Sequence, residues 1–233
     1  MSFFKVDEKL KAVSETALKK CTEQFSAIDG ITEYNQQKVL AAFINNGVSE
    51  SHFAGSTGYG YDDRGRDILE KVFADCVGAE ASIFRHSFAS GTHTLTVALF
   101  GILRPGDTML CVTGRPYDTL IGVLGIDGHT DGSLKDFGIA YDQVDIKNDG
   151  TVDIEKKKKK LKEKHYAVAY IQRSRGYSLR PSLSVSEIGR IARAVKKVSP
   201  DTIVMVDNCY GEFVERLEPT EVGADLMAGS LIK

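Results

Sequence analysis

Along the chain, the hydrophobic positions change rhythm near residue 80. Before that point they fall at helical spacing. "VDEKLKAVSETALKKCTEQFSAI" keeps its apolar residues at that spacing, and Gly30 marks its expected end. "EYNQQKVLAAFINN" is a second helical stretch, the loop "GSTGYGYDDRGR" follows, and "DILEKVFADCVG" reads as an amphipathic helix closed by Gly78. From Ala81 onward, short apolar runs ("ASIF", "TMLCV", "YAVAYI", "TIVMVD") alternate with helical segments such as "THTLTVALFGIL" and "SVSEIGRIARAVKKV". The last of these opens with Ser184 and Glu187 at the spacing of a capping box. Strands that are apolar throughout, separated by helices, predict an α/β fold with a parallel sheet covered on both faces. Ligands on such sheets gather at the carboxyl ends of the strands, so the loops there are where chemistry is to be sought.

Composition changes this picture little. The 233 residues carry a net charge of -2, which argues against a general nucleic-acid or membrane-surface binder. No stretch approaches the roughly 20 apolar residues of a membrane helix, and the start lacks the layout of a secretory signal. Cys21, Cys76, Cys111 and Cys209 form no CxxC pair, a pattern of reduced cytoplasmic thiols. The five histidines are dispersed, so no metal site is expected. Lys156 to Lys160 read as the wet face of a surface helix.

Each strand-end loop offers a candidate and a plainer alternative. Ser90, Gly91 and Thr92 form a small-residue turn opening into a helix, either a seat for a phosphate or carboxylate or an ordinary helix cap. Tyr117 follows "TMLCV", where an aromatic face covers a planar ligand or simply packs. Asp207 stands at the mouth of "TIVMV"; a carboxylate there is costly to desolvate unless it meets a cation or donor, or caps a helix. Cys209 reads as a small buried residue. Ser230 lies three residues before Lys233, whose amine is either activated among apolar neighbours or plainly solvated. Taken together these describe one ligand. A helix start for a phosphate, an aromatic to stack, an acid for a ring nitrogen and an amine for an aldehyde make a pyridoxal 5′-phosphate site.

The runs "SGTHTLTVALFGILRPGD", "PYDTL", "VMVDNCYGEF" and "GADLMAGSLIK", with "GYGYDDRGRDILEKVFADCVGAE" before them, resemble the fold-type I pyridoxal-phosphate enzymes of cysteine and methionine metabolism. Within these the chain is similar to the methionine γ-lyase-like, or "aluminium resistance", branch. The resemblance implies an aspartate-aminotransferase-like large domain with a mostly parallel sheet. It implies that Lys233 holds the cofactor, that Asp207 keeps the pyridinium protonated, and that Tyr117 stacks on the ring and is a candidate proton donor. It gives Gly91 and Thr92, with Ser230, to the phosphate. Tyr59, Tyr61, Arg64 and Arg66 are candidates for reaching a neighbouring subunit's phosphate. Where the cysteine and methionine lyases have a proline- and asparagine-containing turn, this chain reads "QRSRGYSLRPS". Arg173 and Arg175 there either fork a substrate carboxylate or pair with acids.

The expected organisation is a helical arm over residues 1–60 and a large cofactor-binding domain over 61–233. The small C-terminal domain of the family is expected to be absent from this chain. The expected activity is carbon–sulfur elimination from a cystathionine- or methionine-type amino acid, in a cytoplasmic homodimer or homotetramer with shared sites. Two alternatives stay open: another pyridoxal-phosphate reaction (aldol cleavage or transamination), or a non-catalytic cofactor-binding or interaction subunit linked to metal resistance.

Overall fold

The computed structural model describes residues 4–57, 59, 61, 63–128, 131–147 and 149–232. Five strands build one sheet: β1 (Thr108–Cys111), β2 (Ala140–Gln143), β3 (Val168–Gln172), β4 (Ile203–Asp207) and β5 (Leu226–Ala228). Their spatial order is β2-β1-β3-β4-β5, and every pairing is parallel. The chain leaves β1 for the edge strand β2, then returns across β1 to start β3. That reversal opens a crevice at the carboxyl ends of β1 and β3, where the covering helices diverge.

The sheet is covered as its apolar strands require. On one face, α6 (Ile154–Glu163) and α7 (Val185–Val198) pack Leu161, Ile188, Ile191 and Val195 against Leu110, Ile171 and Val206. On the other, α4 (Gly91–Ile102) and α5 (Asp118–Leu124) pack Leu95, Leu99, Leu120 and Leu124 against Met109, Tyr170 and Met205. Val204, Met205 and Val206 in the centre of β4 have no exposure, the signature of a strand buried on both sides. The capping box of α7 forms as its sequence predicts. The Glu187 N–H donates to Ser184 Oγ, and Glu187 Oε2 accepts from the Ser184 N–H at 2.9 Å.

Three expectations are corrected. Gly30 does not end a helix: α1 (Glu8–Lys20) stops at Cys21, and α2 runs unbroken over Thr22–Asn45. A single glycine costs a helix only about 1 kcal/mol, too little to stop 24 residues that contain no proline. "ASIF" is not a strand. Its backbone is held by Glu70 of α3 (Arg64–Val77), whose carbonyl accepts from Ser82 Oγ and whose carboxylate accepts from the Phe84 N–H. The lysine run is not wholly wet. Lys157 is 2% exposed, and its Nζ has no hydrogen-bond partner among the described residues. Burial pushes its amine down to about 7.

Candidate active site

Four elements meet at the carboxyl edge of β1, β3, β4 and β5. The first is the start of α4. Ser90 is in extended conformation, and its Oγ accepts the His93 N–H at 3.1 Å. Helix geometry leaves the N–H groups of Gly91 and Thr92 with no carbonyl behind them. The cap reading holds, and it leaves the next two N–H groups of the helix start without an intrahelical acceptor. Thr92 Oγ1 lies 2.7 Å from Thr119 Oγ1 of α5, which ties the two helix starts together.

The second element follows β1. Tyr117 is fixed by its own backbone, whose N–H donates to Gln172 Oε1 at 2.6 Å. The Gln172 Nε2 donates in turn to the Ser174 carbonyl at 3.0 Å. The Tyr117 ring meets Tyr177, with centroids 5.6 Å apart and planes inclined by 32°, and its hydroxyl donates to Tyr177 Oη at 3.2 Å. That hydrogen bond, added to partial desolvation, pushes the Tyr117 phenol up to about 12. Gly176 adopts φ +58°, and a Cβ there would come 3.2 Å from the Tyr117 ring. The turn therefore favours glycine on both backbone and steric grounds.

Asp207 supplies the third element. It is 4% exposed at the end of β4. Its Oδ2 accepts from the Tyr170 hydroxyl and its Oδ1 from the Cys209 N–H, both at 3.1 Å. Burial and the neighbouring aspartate charge push the Tyr170 phenol well above its ordinary value, so this donor stays protonated. Cys209 is buried, as expected of a small packing residue.

Ser230, after β5, is the fourth. Its N–H donates to Glu212 Oε1 at 2.7 Å. Lys233 lies outside the described residues.

These residues line two adjoining hollows. One of about 310 Å³ is bordered by Thr92, Tyr117, Thr119, Arg175, Tyr177 and Asp207. The other, of about 580 Å³, is bordered by Ser90, Gly91, Thr92, Tyr117, Glu212 and Ser230. Thr92, Tyr117 and Thr119 border both. A ligand with an anionic end and a planar end thus finds the helix start in one hollow and the buried carboxylate in the other. The donor set fits pyridoxal phosphate on that ground.

The two arginines separate. Arg173 is buried, with Nε on the Leu183 carbonyl (3.2 Å), Nη1 on Asn208 Oδ1 and the Gly211 carbonyl (2.7 Å each) and Nη2 on Glu215 Oε1 (2.7 Å). It pairs with acids, and with its donors so engaged the expectation of a substrate contact is corrected. Arg175 is exposed at the rim of the smaller hollow, and no side chain pairs with it among the described residues. Tyr59 and Tyr61 are 82% and 85% exposed, and Arg64 is exposed at the start of α3. None of the three borders either hollow. Arg66 is paired with Asp63 at 3.4 Å.

Gln172, Tyr177 and Glu212 were not foreseen. Gln172 ends a strand and Glu212 lies five residues past Asp207, so the strand-end rule reached both neighbourhoods without singling them out. No group of three or more potential metal ligands occurs among the described residues.

Sheet order and the site at its reversal define an α/β protein of fold type I. The pyridoxal-5′-phosphate-dependent protein YhfS of Escherichia coli shares that fold, with a TM-score of 0.65 at 19% identity over 84% of this chain and 50% of that one. The chain belongs to the methionine gamma-lyase family, whose model matches residues 10–233. It is 52% identical to the uncharacterized protein YnbB of Bacillus subtilis (strain 168), over 88% of this chain and 49% of that protein. A solved structure described as a carbon–sulfur lyase involved in aluminum resistance, from Clostridium novyi NT, superimposes with a TM-score of 0.93. It is 48% identical over 97% of this chain and 54% of that one. The chain therefore spans about half the length of these relatives. No helix among the described residues is long and apolar enough to cross a membrane.

Proposed function

We propose that the chain carries the cofactor-binding domain of a pyridoxal-phosphate-dependent carbon–sulfur lyase. In this reading it acts on a cystathionine- or methionine-type amino acid by β- or γ-elimination. The observation that carries the proposal is the buried Asp207 at the mouth of β4, in a hollow that adjoins the one at the start of α4, with Tyr117 bordering both. The carbon–sulfur lyase description of the Clostridium novyi relative supports elimination over other reactions of the same cofactor.

When bound, the cofactor supplies an electron sink for the pair left at Cα. The chain's residues divide the remaining tasks. Asp207, held by Tyr170 and the Cys209 N–H, keeps a proton on the ring nitrogen. The N–H groups of Gly91 and Thr92 and the Ser230 hydroxyl hold the phosphate. Tyr117 covers the ring, and its raised pKa keeps a proton available for the departing sulfur at neutral pH. Arg175, at the rim of the smaller hollow, takes a substrate carboxylate. Lys233 would hold the cofactor and, once the incoming substrate amine had displaced and freed its own amine, would take the Cα proton. Tyr59, Tyr61 and Arg64, exposed and outside the lining of both hollows, serve the phosphate of a second copy in a cytoplasmic homo-oligomer.

The test is borohydride reduction of the intact protein with pyridoxal phosphate, followed by mass analysis of the peptide that contains Lys233. The expected result is a reduced adduct on that lysine, lost in Lys233→Ala together with thiol release from cystathionine or methionine. Full elimination activity in Lys233→Ala would overturn the assignment. Glycine and an aldehyde formed from threonine, with no thiol from either sulfur substrate, would replace the lyase by an aldolase.

A further inference from the structure

Two non-glycine residues among the described ones have positive φ, Tyr210 at 69° and Phe213 at 57°. The left-handed region is unfavourable for a residue with a Cβ and persists where surrounding contacts impose it, commonly at functional sites. These two bracket Gly211 and Glu212. The contacts that impose the strain come from three directions. Arg173 donates to Asn208 and to the Gly211 carbonyl. Glu218, 1% exposed, accepts from the Phe213 N–H at 2.7 Å and from Asn208 Nδ2 at 3.0 Å. Asn35, on α2, donates to the carbonyls of Phe213 and Glu215 at 2.9 and 3.0 Å.

Asp207 needs none of this, because the sheet ladder already holds it. The strained turn delivers Glu212. The last ladder bond between β4 and β5 is the Asn208 N–H to the Ala228 carbonyl, at 2.8 Å. Beyond it the backbone leaving β5 has no strand beside it, and the Ser230 N–H would lack an acceptor. Glu212 supplies one, at 2.7 Å. The fit is close enough that a Cβ on Gly229 would collide with the Glu212 carboxylate.

We infer that Glu212 is a positioning residue: by gripping the backbone at Ser230 it sets the turn at 229–230. That turn carries Ser230, which borders the larger hollow, and starts the short step in sequence to Lys233. The purpose of the grip rests on the cofactor reading above; the grip itself does not.

The experiment compares Glu212→Ala with Glu212→Gln, whose amide oxygen still accepts a hydrogen bond, in the intact protein. Amide hydrogen exchange without cofactor is the first readout. The amides of residues 229–232 are expected to exchange about tenfold faster in Glu212→Ala and within about threefold of wild type in Glu212→Gln, with the amides of β1 and α7 unchanged. The second readout is the pH midpoint of the visible absorbance of bound pyridoxal phosphate, expected to move in Glu212→Ala and to return in Glu212→Gln. Unchanged exchange at Ser230 in Glu212→Ala would overturn the inference. So would a glutamine variant as impaired as the alanine one, since charge and not the acceptor would then matter. If the wild-type protein takes up no pyridoxal phosphate while the exchange pattern appears as expected, the grip stands and the lyase proposal falls.

Discussion

The loops that follow β3 and β4 leave adjacent strands at the same edge of the sheet and are built in opposite ways. After β4, residues 208–218 are stitched down by buried polar groups. Glu218 is held protonated more readily than usual by burial, against the pull of the Phe213 N–H, Asn208 and Arg173. Glu215 accepts from both Arg173 and the Val185 N–H at the start of α7. After β3, residues 174–181 are fastened mainly at their base, where Arg180 donates to the carbonyls of Gln172, Ser174 and Pro181. The tip is open: Tyr177 is 83% and Leu179 99% exposed. Under the proposed function, the first loop fixes groups that every turnover would need, and the second presents groups free to differ with the substrate.

Three substitutions probe that contrast. The largest effect is expected from Arg173→Met, which leaves Glu215 and the buried Glu218 without their cation. Removing one member of a buried pair costs roughly 3–5 kcal/mol, to be read from denaturant unfolding of the intact protein. A loss below about 1 kcal/mol would put this loop in the same class as an exposed one. Arg175→Ala should leave stability within about 0.5 kcal/mol and raise KM for the amino-acid substrate about tenfold, with a smaller change in kcat. An unchanged KM would remove Arg175 from the substrate's reach.

The smallest change is Tyr177→Phe. The Tyr117 hydroxyl now donates to Tyr177, which favours the neutral phenol. Without that acceptor its pKa falls from about 12 toward the ordinary 10.0, so phenolate forms at lower pH. Ultraviolet difference titration reads this directly, and the basic limb of the pH–rate profile should move to lower pH with it. Unaltered titration would mean that the two hydroxyls do not share a proton.

The parallel sheet was legible because β3 throughout, and β4 after Ile203, are buried and so carry apolar runs. Edge strand β2, "AYDQ", has no such run: Ala140 is exposed and its neighbours only half-buried. It could not be seen from hydrophobicity alone. "ASIF" has the run without the partner, since a strand needs a neighbour and Glu70 occupies its backbone instead. At the site, Asp207 and Tyr117 were found because the ends of strands are special positions whatever lies nearby. Arg173 and Arg175 could not be told apart in that way. The first is still in the ladder, its N–H on the Asp207 carbonyl at 3.0 Å, while the second lies past the turn. Glu212 was invisible because its meaning is a contact with a residue 18 positions away.

The bonds from α2 have a practical consequence for anyone cutting or fusing this polypeptide. Asn35 grips the carbonyls of Phe213 and Glu215, and Lys38 grips that of Arg216, across some 180 residues of chain. An early segment thus acts as a strap buckled over the late one, and trimming it would loosen the far end of the sheet. A shortened version designed to begin after the helical leader would keep every cleft residue and still lose the tension that holds them.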